Sequence, residues 1–479
     1  MRIDDIPLVS GATLLGHMEE IRDDRFAFFR RLNRECGDIG RALVLGTPLV
    51  FANSPELLHD VLVEKAKSFM KSPGLRGPLR PLAGEGLFTS DGALWRRQRK
   101  LMAPLFTHAM IAGYAPVMAD CARDAVAKLR AGDELDVARL TTHIAMRVAG
   151  KALFDIDTLD EADELGEALT FALHWANTQA SSLPYAAQLR VSGTMHAFAE
   201  KLPEPLRGRA LALAEALVEP IRWPGEGSRK LEHATAVVGR RVERMISERR
   251  AAGLTRHDLL TLLLTAHDEE GGMSDKQVRD EVVTLFVAGH ETTATALSWS
   301  LYLLARNPEA YARAKAEAQA LGGKPPTIED LPRLGYCLRV FKEAMRLYPP
   351  VYFFGRQAIA DVRIGDYDLA RNSIVLISLY AMHRRPEIWP DPDRFDPDRF
   401  EHAAEEARHK LAWAPFSAGP RTCIGNHFAL MEGPIVLATM LARLDLELTT
   451  TAEILPDDSA TLRPKGGVPM RVTAVHEPA

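Results

Sequence analysis

Phe416-Ser417-Ala418-Gly419-Pro420-Arg421-Thr422-Cys423-Ile424-Gly425 is the stretch on which the reading of this chain turns. A lone cysteine is more often a small buried hydrophobe than a ligand. Its neighbours change that balance. Gly419 permits a tight turn, and Arg421 places a fixed positive charge two residues before the thiol. A helical run starts at Asn426, so Cys423 stands where free backbone N–H groups and the helix dipole favour a thiolate. Gly425 leaves room for a flat body against the backbone, and Phe416 can screen one side from water. Together these features describe one axial thiolate beneath a planar, metal-bearing cofactor.

A second stretch points the same way. Ser274 followed by Gln277 makes a capping box, and Asn307-Pro308 ends the pattern. The predicted helix between them runs about 33 residues, near 50 Å at 1.5 Å per residue. Its apolar seam loses its bulk at Ala288-Gly289-His290-Glu291-Thr292-Thr293. Glycine weakens a helix interior and threonine can back-bond one turn earlier, so a local opening is expected here. Close packing against a neighbouring helix is the plain alternative. A groove holding a small ligand beside a proton donor is the functional one. A zinc-protease helix is excluded, because Ala294 stands where its second histidine belongs.

The 479 residues carry 59 Lys+Arg and 64 Asp+Glu, a formal charge of −5 that argues against nucleic acid as the main partner. Four dispersed cysteines exclude a disulfide scaffold and CxxC metal sites, and suit a reducing compartment. No signal or membrane-spanning stretch is read, so a cytoplasmic protein is expected. The fold class expected is mainly α with a minor β portion, one domain over 1–479. Its β-containing parts fall near 39–52, 359–400 and 446–475. Ile39–Leu45 and Pro48–Ala52 read as a strand pair, Pro55–Ala66 as a helix, and the Gly- and Pro-rich Ser72–Gly92 as a long loop.

The cysteine loop resembles the haem-binding signature of the cytochrome P450 family, FxxGxRxCxG, at every fixed position. Three further motifs follow the family's order. Trp95 and Arg99 resemble its WxxxR helix, whose side chains bind a haem propionate. Ala288–Thr293 resembles the oxygen-activating helix, with the acid–alcohol pair on Glu291 and Thr292, Glu standing where Asp is commoner. Glu343-Ala344-Met345-Arg346 resembles ExxR, completed by Arg399 as a buried structural triad. The resemblance implies the P450 fold, haem b with Cys423 as its thiolate ligand and O₂ as co-substrate. It places Arg421, Phe416, Gly425 and Gly289 around the haem, with Arg356 and His383 as further candidates for a propionate.

Thiolate-ligated haem favours O–O cleavage. The implied reaction is insertion of one oxygen atom into a C–H bond or alkene. The implied substrate is hydrophobic: a terpenoid, fatty acid, steroid or carotenoid. The pocket residues expected are Phe286, Val287, Ala288, Val351, Tyr352, Phe353 and Phe354. No fused flavin, nicotinamide or iron–sulfur module is legible. Electrons are therefore expected from a ferredoxin or flavodoxin with its own NAD(P)H-dependent reductase, docking near Arg96, Arg97 and Lys100 on a monomer. The alternatives are a haem-thiolate isomerase or dehydratase, a peroxide-driven hydroxylase and a non-catalytic haem or ligand-binding protein. Thr292 counts against the first two, and the intact acid–alcohol pair against the last.

Overall fold

The computed structural model describes residues 1–157, 162–254, 258–268 and 271–476. Leu45 and Gly46 both have positive φ (50° and 76°), the twist of a two-residue hairpin turn. That turn pairs Ile39–Val44 (β1) with Thr47–Ala52 (β2), Val44 opposite Thr47. Three later strands complete a five-stranded sheet: Phe69–Lys71 (β3), Phe353–Ala358 (β4) and Ile374–Ser378 (β5), in the order β1-β2-β5-β4-β3. Only the β2–β5 pairing is parallel. A second sheet joins Leu444–Leu448, Pro469–Val475 and Glu134–Asp136. The remainder is mostly helical, so the mainly α architecture with minor β parts holds.

Pro73–Ala83 (α1) is a helix, where the sequence reading placed a loop. Pro73 needs no amide partner in the first turn. Pro78 and Pro81 lie inside and are tolerated because the helix is clamped from outside. Arg76 donates twice to Glu215, at 2.6 and 3.0 Å. A side chain at Gly77 would reach within 1.9 Å of the Val218 carbonyl. The expected helix at Pro55–Ala66 is α-helical only to His59, then continues as a π turn over Asp60–Glu64.

The large core is helical. It includes Gly92–Met102 (α2), Val137–Phe154 (α3), Ala162–Ala180 (α4), Asp275–Arg306, Gly335–Leu347 and Asn426–Arg443. Among the described residues no single helix is long and apolar enough to cross a membrane. One pair, Gly92–Phe106 with His108–Val126, reaches that length only across a 50° bend.

Candidate active site

Leu183–Ala199 (α5) and Leu206–Ala216 (α6) lie outside the core, and Asp275–Arg306 (α7) runs through its middle. The capping box starts α7: Gln277 N–H donates to Ser274 Oγ at 3.2 Å, and Ser274 N–H to Gln277 Oε1 at 2.8 Å. From Asp280 to Leu304 every residue is buried except Val287, Ala288, Gly289 and Thr292. These four fall within about one and a half helical turns, so a buried helix presents one open patch. The helix is not broken there. Thr292 Oγ1 donates to the Ala288 carbonyl at 2.8 Å, which satisfies the hydroxyl within the turn. A Cβ on Gly289 would meet Ala149 of α3 at 3.4 Å, an ordinary contact distance, so packing against α3 does not by itself require the glycine.

Glu291 does not share that patch. It lines a cleft of about 400 Å³ between α3, α4 and the 463–467 segment. Its Oε1 accepts from Thr461 Oγ1 at 2.7 Å and is ion-paired with the Arg463 guanidinium. Its Oε2 stands 3.6 Å from His290 Nε2. Burial pushes His290 below its ordinary value, so this ring is neutral. Acid and alcohol are consecutive in sequence but serve two different spaces.

The cysteine loop is held by its own turns. Cys423 N–H donates to the Phe416 carbonyl at 2.9 Å. Gly419 has φ +67°, and a Cβ on it would fall 1.9 Å from the Leu62 carbonyl in the π turn. Nothing lies within 4 Å of a Cβ at Gly425, just before Asn426–Arg443 begins. Phe416 packs edge-on against Trp413 at 6.0 Å. Cys423 is accessible, yet enough protein surrounds it that burial dominates and pushes its thiol up. The Gly425 amide and Arg99 act in the opposite sense. Arg99, rather than the expected Arg421, is thus the cation that acts on the thiol. A coordinating metal ion would remove that proton outright.

A cationic cluster lies beside Trp95. Arg421 is ion-paired with Asp91, donates to the Phe69 carbonyl at 3.2 Å and lies 5.1 Å from the Trp95 ring. Its Nη1 is buried without a hydrogen-bond partner. Lys71 and Arg356 stand directly opposite each other on β3 and β4. Burial pushes Lys71 down to about 7 and Arg356 down to about 10. Like charges facing each other across strands are destabilising. Asp91 acts on all three cations, while Glu281, itself pushed up to about 7 by burial, acts on Lys71. The cluster is short of negative charge, and the two propionate carboxylates of a haem would supply it. The residues present therefore fit the group. Lys71 was missed by the sequence reading, because an isolated lysine in a three-residue strand carries no motif.

Other expected residues sit elsewhere. His383 lies in the triad's network, away from the cluster: it is fully buried, accepts from the Ala414 amide at 3.2 Å, and burial pushes it down to about 3. Its charged neighbours are Arg346 and Arg384. Glu343 and Arg346, both fully buried on Gly335–Leu347 (α8), form a two-fold bond at 2.7 and 2.8 Å. Arg399 Nε approaches Glu343 at 3.5 Å. Arg346 also donates to the carbonyls of His383, Pro392 and Arg394, which pins the 383–399 segment.

Of the expected pocket, Val287, Ala288, Val351 and Phe353 keep accessible surface, whereas Phe286, Tyr352 and Phe354 are core. Phe286 stacks on Phe154 at 4.7 Å. The Tyr352 hydroxyl is bonded to Arg25 at 2.6 Å and to the Asp458 carbonyl at 2.9 Å. Phe88 is a partly exposed aromatic on the 84–90 strap. That strap is tied to α7 by Glu85 N–H to Asp280 and Leu87 N–H to Glu281.

A family model described as Cytochrome P450 matches residues 7–469. The chain is 35% identical to cyclooctatin synthase of Streptomyces melanosporofaciens, over 94% of this chain and 92% of the relative. It is 34% identical to cyclooctat-9-en-7-ol 5-monooxygenase of the same organism, over 90% and 87%. Among solved structures, the crystal structure of the cytochrome P450DA heme domain superposes with a TM-score of 0.81 at 27% identity, covering 99% of this chain and 98% of the other. An interior with one accessible thiol, a cationic cluster short of anions and one open turn of a buried helix is thus that of a haem enzyme, and the chain belongs to the cytochrome P450 family.

Proposed function

We propose that this P450 inserts one atom of O₂ into a C–H bond or alkene of a hydrophobic polycyclic substrate of the terpenoid class. The observation that carries the reading is the single open turn Val287–Gly289 with Thr292 on an otherwise buried α7. The terpenoid assignment is supported by the relatives' names, one of which is that of a monooxygenase acting on an unsaturated carbocyclic alcohol. Fatty acids, steroids and carotenoids share the apolarity the pocket requires.

Bound haem supplies the iron at which O₂ is activated, and the overall change consumes two electrons and two protons while the second oxygen atom leaves as water. Cys423 is the residue that would hold the iron. Trp95, Arg99, Arg421, Arg356 and Lys71 would hold the propionates, which removes the repulsion between facing cations. Thr292 presents its hydroxyl to the open turn and can release its bond to Ala288 to pass a proton there. Glu291 takes protons from water in the cleft, held by Arg463 and Thr461. The carboxylate must swing from cleft to patch to serve Thr292, so proton delivery is gated by that ion pair.

Electrons come from a separate ferredoxin or flavodoxin and its reductase, with the enzyme acting as a monomer. Arg96 and Lys100 are exposed on α2 beside Trp95 and suit an acidic partner. Arg97 is engaged with the Gly271 carbonyl at 2.8 Å.

The test is spectroscopic and stoichiometric. The reduced protein under carbon monoxide should show the red-shifted Soret band of a thiolate-bound haem, and Cys423→Ser should lose it. Adding a terpenoid substrate with partners should start coupled NADPH and O₂ uptake. Thr292→Ala should keep uptake but divert it to peroxide, product per NADPH falling about tenfold or more. Normal coupling in that variant removes Thr292 from the proton path.

A further inference from the structure

Trp299 is the largest side chain that α7 buries completely, and it lies about 12 Å along the axis from Glu291 at 1.5 Å per residue. Its ring is held from two sides. Tyr348, at the C-cap of α8, stacks on it with centroids 3.7 Å apart and planes 8° apart, and Tyr302 meets it edge-on at 5.5 Å. The indole therefore has one orientation, and in it Nε1–H donates to the Leu462 carbonyl at 2.6 Å.

A buried indole N–H takes an acceptor wherever it lies. The place of this acceptor is what gives the bond a consequence. Leu462 stands between Thr461 and Arg463, the two residues that hold Glu291. Its own N–H donates to the Pro350 carbonyl at 3.1 Å, so both of its backbone polar groups are bonded to distant parts of the chain.

The hairpin that contains Arg463 gives limited support of its own. Pro456–Asp457 pairs with Arg463–Pro464 through two residue pairs, one of them proline opposite proline. Proline offers no N–H to a ladder. One further bond, Lys465 N–H to the Leu455 carbonyl at 2.9 Å, lies beyond the prolines. The Arg463 side chain reaches Thr170 Oγ1 at 3.2 Å, which orients the guanidinium and leaves its backbone unplaced. What ties the segment to α7 is aromatic: Trp299 takes it at Leu462, and the Tyr302 hydroxyl accepts from Ile454 N–H at 3.2 Å. One helix thus carries the acid and, about two turns on, the donor that fixes the acid's holder.

We propose that Trp299 is a positioning residue for proton delivery: its indole N–H fixes the Leu462 carbonyl and so sets where Thr461 and Arg463 hold the Glu291 carboxylate. The inference rests on the proposed passage of protons through Glu291. Trp299 acts through Arg463 and not on a reacting atom.

The experiment uses the haem-loaded enzyme. Trp299→Phe keeps a ring against Tyr348 and removes the donor. Its crystal structure should show the Leu462 carbonyl displaced and Arg463 withdrawn from Glu291, with the carbon-monoxide spectrum unchanged. With redox partners and a polycyclic diterpene alcohol as probe, product per NADPH should fall about threefold, the loss expected for one hydrogen bond. Combined with Arg463→Gln, Trp299→Phe should add no further loss, because both act through one contact. A packing defect lowers coupling by the same factor in either background, and that outcome overturns the proposal. So does a crystal structure of Trp299→Phe in which Arg463 still pairs with Glu291. A broken pair with normal coupling overturns it too, and in that case the passage of protons through Glu291 fails while the placing of Arg463 stands. Where Trp299→Phe does not fold, Tyr348→Leu takes its place: it lies at a partly exposed position, keeps the indole and frees it to turn from Leu462.

Discussion

Arg463 decides where the Glu291 carboxylate rests. Its guanidinium and Thr461 Oγ1 both take the same oxygen of Glu291, and Arg463 Nη2 also reaches Thr170 Oγ1 at 3.2 Å. In Arg463→Gln the carboxylate keeps Thr461 but loses its ion-pair partner, so the side chain is no longer held in the cleft and product formed per NADPH should fall several-fold, about 1 kcal/mol. Arg463→Lys should restore most of it. Normal coupling in Arg463→Gln means that this ion pair does not control proton delivery. In the sequence, Glu291 and Thr292 drew notice because they belong to one short motif. The holder was not, since Arg463 lies 172 residues away and the loop between its strands has no motif of its own. Lys71 and Arg356 show the same limit: their repulsion exists only because β3 and β4 place them face to face.

Among the elements, α7 was the most legible, because its start is written in side chains that bond the backbone. Ser274 and Gln277 satisfy two amides that the first turn leaves free. Ser274→Ala should therefore cost about 1 kcal/mol, read as a lower denaturant midpoint with an unchanged slope. The capping box and Asn307-Pro308 placed both ends to within a residue, at Asp275 and Arg306. The expected opening at Gly289–Thr293 did not form, since Thr292 bonds Ala288 without leaving the helix. Helix α1 was illegible for the opposite reason. Its prolines and glycines argue for a loop, and what overrides them is tertiary: Arg76 on Glu215, and Gly77 against Val218. The π turn at Asp60–Glu64 is likewise set from outside, where the Asp60 carboxylate accepts from Lys65 Nζ at 2.9 Å and from the Gly365 amide at 2.8 Å.

Across the whole molecule, buried neutral histidines make acid a stress. Burial pushes His383 down to about 3 and lowers His290 as well, while both titrate near 6.5 when exposed. A depressed value means that the folded state binds fewer protons than the unfolded one. For His383 that stability is complete above pH 6.5 and is lost as pH falls toward 3, by about 1.4 kcal/mol per pH unit, and His290 acts in the same direction. Glu343, pushed up by burial, acts in the opposite sense. The difference between His383→Gln and the parent isolates one histidine: denaturant midpoints at pH 7 and pH 5 should converge in the variant relative to the parent. Equal pH dependence in both would mean that His383 is already charged when folded. The same burial that makes α7 insensitive to solvent also limits what it can offer a guest. Its open patch runs only from Val287 to Thr292, about 7.5 Å of axis at 1.5 Å per residue. An elongated molecule sliding past it exposes only a few neighbouring carbons at a time. Product mixtures should therefore consist of adjacent regioisomers, and redirecting the enzyme to a remote position requires shifting how the guest is seated lengthwise, leaving the reacting end untouched.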